Sequence, residues 1–153
     1  MTTSQEQAPS GGGPRGTNRL PRAFRLRRQR LIRPLFDRSR TDVGTIARGC
    51  VRLLYRVVPR SEVGADVPVQ VGFSAGRQAR RAVVRNRIRR LLRETYRLHQ
   101  HPLVELFRNR PDTLTLMILY RADPAVAREC IRRDLPEALR RLTEQLKNTL
   151  LEA

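Results

Sequence analysis

Apolar residues fall into short stretches along the chain, and the spacing within each stretch indicates its structure. In residues 48–58, Val51, Leu53, Tyr55 and Val57 alternate with Cys50, Arg52, Leu54 and Arg56. A period of two sends these sets to opposite faces, so the stretch predicts a strand with one basic face. Val67, Val69, Val71, Phe73 and Ala75 alternate with Pro68, Gln70, Gly72 and Ser74, predicting a second strand that ends at Gly76. The short connection at 59–66 makes an antiparallel hairpin of these two the natural expectation. Residues 113–120, TLTLMILY, are apolar on both faces, as a central strand requires.

Other stretches carry helical spacing. Leu26, Leu31, Ile32, Leu35 and Phe36 lie among arginines in residues 20–40, predicting a short basic amphipathic helix that Pro34 kinks or shortens. The strongest signal spans 78–98. At about 100° per residue, Val84, Ile88, Leu91, Leu92, Thr95 and Leu98 form one stripe, with Asn86, Arg89, Arg90, Arg93 and Arg97 opposite. A last helix is expected from Asp134, with Glu137 at capping-box spacing, Pro136 in the first turn, and Leu135, Leu139, Leu142, Leu146 and Leu150 following. Residues 1–18 are rich in Gly, Ser, Pro and Gln without periodicity, so a disordered tail is expected there. The chain of 153 residues then leaves 19–153 as one domain.

Charge changes the picture from fold to function. Lys and Arg number 32 against 14 Asp and Glu, a net +18. The excess is segregated: up to Arg97 there are 23 Arg and 6 acids, and beyond it 9 basic residues face 8 acids. A segregated field attracts a polyanion to one surface, which disfavours a small-molecule enzyme. All but one of the basic residues are Arg, the exception being Lys147. Guanidinium groups suit bidentate phosphate contacts and base stacking, although a genome-wide compositional bias produces the same pattern. No apolar run approaches the length of a membrane span and no signal peptide is visible, so a cytoplasmic protein without membrane contact is expected. Cys50 and Cys130 are few and far apart in sequence, which argues against a zinc site and for reduced thiols in or near the core.

Between Arg77 and Arg97 stand nine Arg and one acid, Glu94. Like charges three and four residues apart repel by roughly 0.2–0.5 kcal/mol per pair, so folding alone does not favour such a helix, whereas phosphates relieve the repulsion. A self-sufficient nuclease needs clustered carboxylates, but Asp37, Asp42, Glu62, Asp66 and Glu94 are scattered through different elements. His99 and His101 read as helix-end residues rather than catalytic ones. A helix-turn-helix DNA reader needs varied base-reading side chains, and here only Asn86 accompanies Arg on the polar face. A structural or ribosome-associated RNA binder fits the charge as well.

The segment VGFSAGRQARRAVVRNRIRRLLRETYR, running from Val71 to Arg97, resembles the signature of the protein component of bacterial ribonuclease P. The residues that carry the resemblance are Ala82, Val83, Arg85, Asn86, Arg87, Arg89, Arg90, Arg93, Glu94, Tyr96 and Arg97. A weaker likeness runs upstream through Arg25, Leu26, Leu35 and Phe36 and downstream to the last helix. The resemblance implies an α/β (α+β) fold, with a small mixed sheet of about four strands packed by helices, and a central cleft. It implies that Arg77, Arg81, Arg85, Asn86, Arg87, Arg89, Arg90, Arg93 and Arg97 meet a catalytic RNA subunit. It further implies that Arg25, Ile32, Phe36, Arg52 and Arg56 meet the single-stranded 5′ leader of precursor tRNA. The reaction implied is endonucleolytic removal of that leader, with Mg²⁺ held mainly by the RNA, no catalytic residue in this chain and no obligate protein partner. Gly76, Arg77 and Gln78 depart from the common Ser-Lys-Lys, Arg80 replaces a frequent Gly, and Ile32 stands where an aromatic is common. Phe36 is then the likelier stacking platform.

Overall fold

In the computed structural model, which describes residues 20–152, four strands form one mixed sheet. They are β1 (Gly44–Arg48), β2 (Val51–Pro59), β3 (Val69–Ser74) and β4 (Asp112–Tyr120), in the order β1-β2-β4-β3. The tail expected over 1–18 lies outside the described residues. β2 is antiparallel to β1 and to β4, and β3 is parallel to β4. The expected hairpin of β2 with β3 therefore does not form. β4, apolar on both faces, takes the central place between them, and the long connection carrying two helices lets β3 run parallel to it.

The true partner of β2 in a hairpin is β1, an edge strand whose sequence GTIAR carries too little β-branched or alternating signal to stand out. The expected strand over 48–58 is broken by the turn at Gly49 and Cys50. Gly49 makes that turn possible at φ +54°, where an L side chain is strained.

Register divides the sheet into unlike faces. Val51, Leu53, Tyr55 and Val57 stand opposite Tyr120, Ile118, Leu116 and Leu114, and all belong to the main core. Covering that face are α2 (Ala82–His99), α3 (His101–Phe107) and α4 (Ala127–Glu152). The opposite face carries Arg52, Leu54, Arg56 and Val58, and an N-terminal arm covers it in part. The arm holds the short helix α1 (Gln29–Ile32) and a 3-10 turn at Arg33–Phe36 that contains Pro34. Its Leu26, Leu31 and Leu35 pack on Leu54, Val58 and Met117. The arm is anchored to β3, where the Leu26 N–H donates to the Val71 carbonyl at 3.0 Å and the Gln70 side chain donates to the Ala23 carbonyl at 2.8 Å.

In α2 the stripe is buried at Ile88, Leu91, Leu92 and Thr95, as expected, but Leu98 is exposed and Tyr96 is buried in its stead. Both lie about 80° from Ile88, on opposite edges of the stripe. The core closes over the Tyr96 edge, where Phe73 meets its ring edge-on with centroids 6.0 Å apart.

The last helix begins earlier than its capping-box spacing suggests. The Asp123 carboxylate accepts the Ala125 N–H at 2.9 Å and starts the 3-10 turn at Pro124–Val126 that leads into α4. Pro136 lies inside the helix. Asp134 is buried and caps nothing: it accepts the Cys50 N–H at 3.0 Å, 84 residues away in sequence. A tertiary contact that satisfies a buried donor outweighs the local capping preference.

Candidate nucleic-acid interface

α2 packs its apolar stripe on the sheet and α4, so its arginines must project the other way. Arg77, Arg81, Asn86, Arg87 and Arg90 are exposed, and Arg85, Arg89, Arg93 and Arg97 are half-buried. Several of the guanidinium groups also have local work. Arg85 donates to the carbonyls of Ala79 and Arg80, closing the loop that enters α2. Arg87 reaches the Pro124 carbonyl at 3.3 Å, and Arg89 donates to the Asn86 side-chain oxygen at 2.7 Å. The turn before this helix needs Gly76, which sits at φ +83° with the Tyr120 carbonyl 2.2 Å from where a Cβ would be. No other residue type fits there without displacing backbone.

The second set of candidate residues divides between two grooves. Phe36, about half exposed, and Arg52 line one, together with Leu54 and Leu119 on the sheet and Arg38 and Arg40 beyond the arm. Arg25 lines another, walled by Arg27, Phe73 and Arg93, with Gly72 on its sheet side. A third depression on the arm shares Arg25 and Arg27. Ile32 is half-buried against the smaller apolar cluster, and Arg56 donates to Asp42 at 2.9 Å beside the first groove. Arg27, Arg38 and Arg40 were not singled out by sequence reasoning. Their signal was present, since each lies within four residues of Arg25 or Phe36, but only the path of the arm shows which arginines share a groove.

The aspartates of this region are held by arginines or by Ser39. Asp42 accepts from both Arg40 and Arg56 at 2.9 Å, and these bonds hold its carboxyl well below the ordinary range. Asp66 pairs with Arg60, which also clamps the Phe107 and Asp112 carbonyls. Asp37 is lowered by hydrogen bonds from Ser39. These carboxylates do not converge on a common point, and a Mg²⁺ site built of oxygen ligands needs that convergence. Among the described residues one group of three potential ligands does meet, Cys50, Cys130 and Asp134, which brings together two cysteines expected to lie too far apart for a zinc site. Both thiols are free, Cys50 buried and Cys130 half-buried.

What this arrangement offers is a rigid helix of arginines, a groove with basic walls and an exposed aromatic ring on the other side of the sheet, and a second groove at Arg25 that Arg93 of the helix also walls. Comparison with known proteins agrees. Residues 20–121 match the family described as Ribonuclease P. The chain is 33% identical over 125 residues to the ribonuclease P protein component of Chlorobaculum tepidum, covering 70% of this chain and 79% of that protein. To the corresponding protein of Desulfovibrio desulfuricans it is 32% identical over 128 residues, covering 83% and 88%. In fold it is similar to the RNase P protein of Staphylococcus aureus, with a TM-score of 0.52 at 16% identity over 76% of this chain and 93% of that one. With two thirds of its length matched and relatives at a third identity along most of it, the chain belongs to the ribonuclease P protein family.

Proposed function

We propose that this chain works as the protein subunit of ribonuclease P, docking on a catalytic RNA through α2 and holding the 5′ leader of precursor tRNA on the arm side of the sheet. The observation that carries the reading is the separation by one sheet of the α2 arginine face from the groove at Phe36 and Arg52, with the groove at Arg25 bridging the two sides through Arg93. The α2 face is long, rigid and almost free of acids, which suits the phosphates of a folded RNA. The grooves at Phe36 and Arg25 combine arginine with an aromatic ring and an apolar floor, which suits an unpaired strand held by charge and stacking. The chemistry is assigned to the RNA with its Mg²⁺, because Asp37, Asp42 and Asp66 are engaged by Ser39 or by arginines and do not converge on one point. The protein contributes binding: it offsets phosphate repulsion between substrate and catalytic RNA, and it recognises the leader that distinguishes substrate from product.

The test is reconstitution. The full chain is added to its own catalytic RNA, and cleavage of precursor tRNA is followed as Mg²⁺ is lowered. Protein should rescue cleavage at the mature 5′ end at Mg²⁺ concentrations where the RNA alone is slow, and protein without RNA should leave the substrate intact. Specific cleavage by the RNA-free protein would overturn the assignment of chemistry. Absence of any stimulation would favour a basic RNA binder with no part in cleavage.

A further inference from the structure

We propose that Cys50, Cys130 and Asp134 form a binding site for a thiophilic divalent cation, with Zn²⁺ as the fitting ion. The ligating atoms, two Sγ and a carboxylate oxygen, all lie within 4.8 Å of one another. They come from two elements that the fold forces together. Cys130 and Asp134 are four residues apart on α4 and so share one helix face, while Cys50 sits in the β1–β2 turn beneath them.

The carboxylate is oriented before any ion arrives. The Cys50 N–H donates to its Oδ2 at 3.0 Å, and Gly49 gives it room, since a Cβ there would lie 2.0 Å from that oxygen. This is the kind of outer support that fixes a metal ligand in place. A cation already occupies the rim: Arg133 donates to Asp134 Oδ1 at 2.9 Å and Oδ2 at 3.2 Å, and to the Cys130 sulfur at 3.4 Å. Its side chain is 67% exposed, so it can move into solvent and remain nearby as a counter-ion.

Two thiolates and one carboxylate select Zn²⁺ over Mg²⁺ or Ca²⁺, which take oxygen ligands. Zn–S bonds of about 2.3 Å in tetrahedral geometry place sulfurs roughly 3.7 Å apart, so a closure of at most about 1 Å between the two sulfurs completes the site. Cys130, half-buried, can supply that movement by side-chain rotation. Binding releases one proton from each thiol, and water fills the fourth position. Such a site would fasten α4 to the β1–β2 turn.

The experiment titrates the full chain, reduced and stripped of metal by a chelator, with Co²⁺ and then Zn²⁺. Expected are thiolate-to-cobalt charge-transfer absorption and tetrahedral d–d bands that saturate at one equivalent, vanish on adding one equivalent of Zn²⁺, and accompany a rise in Tm with Zn²⁺. Cys130→Ser should fold normally by circular dichroism, show weaker charge-transfer absorption and lose affinity by about tenfold or more. The proposal is overturned if the reduced, folded protein gives no charge-transfer band, as when the thiols do no more than cross-link on oxidation. It is overturned equally if Cys130→Ser binds the metal as well as the parent, which would place the ion elsewhere, such as at His99 or His101.

Discussion

Asp134 is 4% exposed and nonetheless ionised, because Arg133 and then the Cys50 N–H hydrogen-bond its oxygens against the cost of burial, which holds its carboxyl down at about 2. A depressed folded-state pKa means that the unfolded chain binds the extra proton first. The stabilisation is therefore complete above about pH 4 and is lost as pH falls toward 2. Because the Arg133 guanidinium is largely in solvent, the loss should not exceed about 2 kcal/mol. Urea unfolding between pH 5 and pH 2, with chelator present, should show this drop in the parent, and Asp134→Asn should flatten it. Tyr96 poses the opposite problem. It is 1% exposed, its hydroxyl has no hydrogen-bond partner among the described residues, and burial pushes its phenol well above the ordinary range. Tyr96→Phe should therefore be neutral or stabilise by up to about 1 kcal/mol, because it removes an unsatisfied buried group, whereas Tyr96→Ala should cost about 3–5 kcal/mol through the cavity left beside Phe73. Chemical denaturation of the two variants separates these outcomes, and an appreciable loss in Tyr96→Phe would mean that the hydroxyl has a partner.

Within elements, the same helix carries core residues and the proposed interface on opposite sides, so substitutions on α2 should divide cleanly. Arg89 and Arg90 lie on the polar side and Leu92 is fully buried. Arg89→Ala and Arg90→Ala should each lower the slope of log K against log salt for the catalytic RNA by about one, with stability within about 0.5 kcal/mol of the parent. Leu92→Ala should cost about 2–5 kcal/mol. Salt-dependent binding isotherms and denaturation curves on the same preparations check both. This division was legible from periodicity alone, because a helix has one buried side. The α4 start and the strand partners were not: Asp134 with Glu137 is a sound capping pattern locally, but a buried N–H at Cys50 competes for the same carboxylate and prevails.

Across the whole molecule, the sheet separates the groove at Phe36 from the α2 face, so the proposed leader contacts there can be tested apart from the proposed RNA docking. Phe36 and Arg52 share a groove on the arm side, while α2 lies over the other face. Phe36→Ala should reduce the preference of the holoenzyme for precursor over mature tRNA, with a loss of roughly 1–3 kcal/mol per stacked base, and leave affinity for the catalytic RNA unchanged. Measuring both affinities with and without a leader tests this. An unchanged preference would move the leader to the groove at Arg25 and Arg93.

The sequence by itself determined the class of fold, the buried and basic sides of α2, the polyanionic partner and, through the Arg85-Asn86-Arg87 segment, the family. The sides of α2 and the partner's charge rest on local spacing and summed charge, and the fold class and family on the resemblance carried by one contiguous segment; no rearrangement of the chain can alter any of these. Only the tertiary structure decided the strand order, the divided position of Arg25 and Phe36, and the meeting of Cys50 with Cys130 and Asp134. Those are contacts between residues far apart in sequence. They follow from which element can cover β4 on each edge and which face the arm must close, a competition settled by burial of the whole core rather than by any one segment.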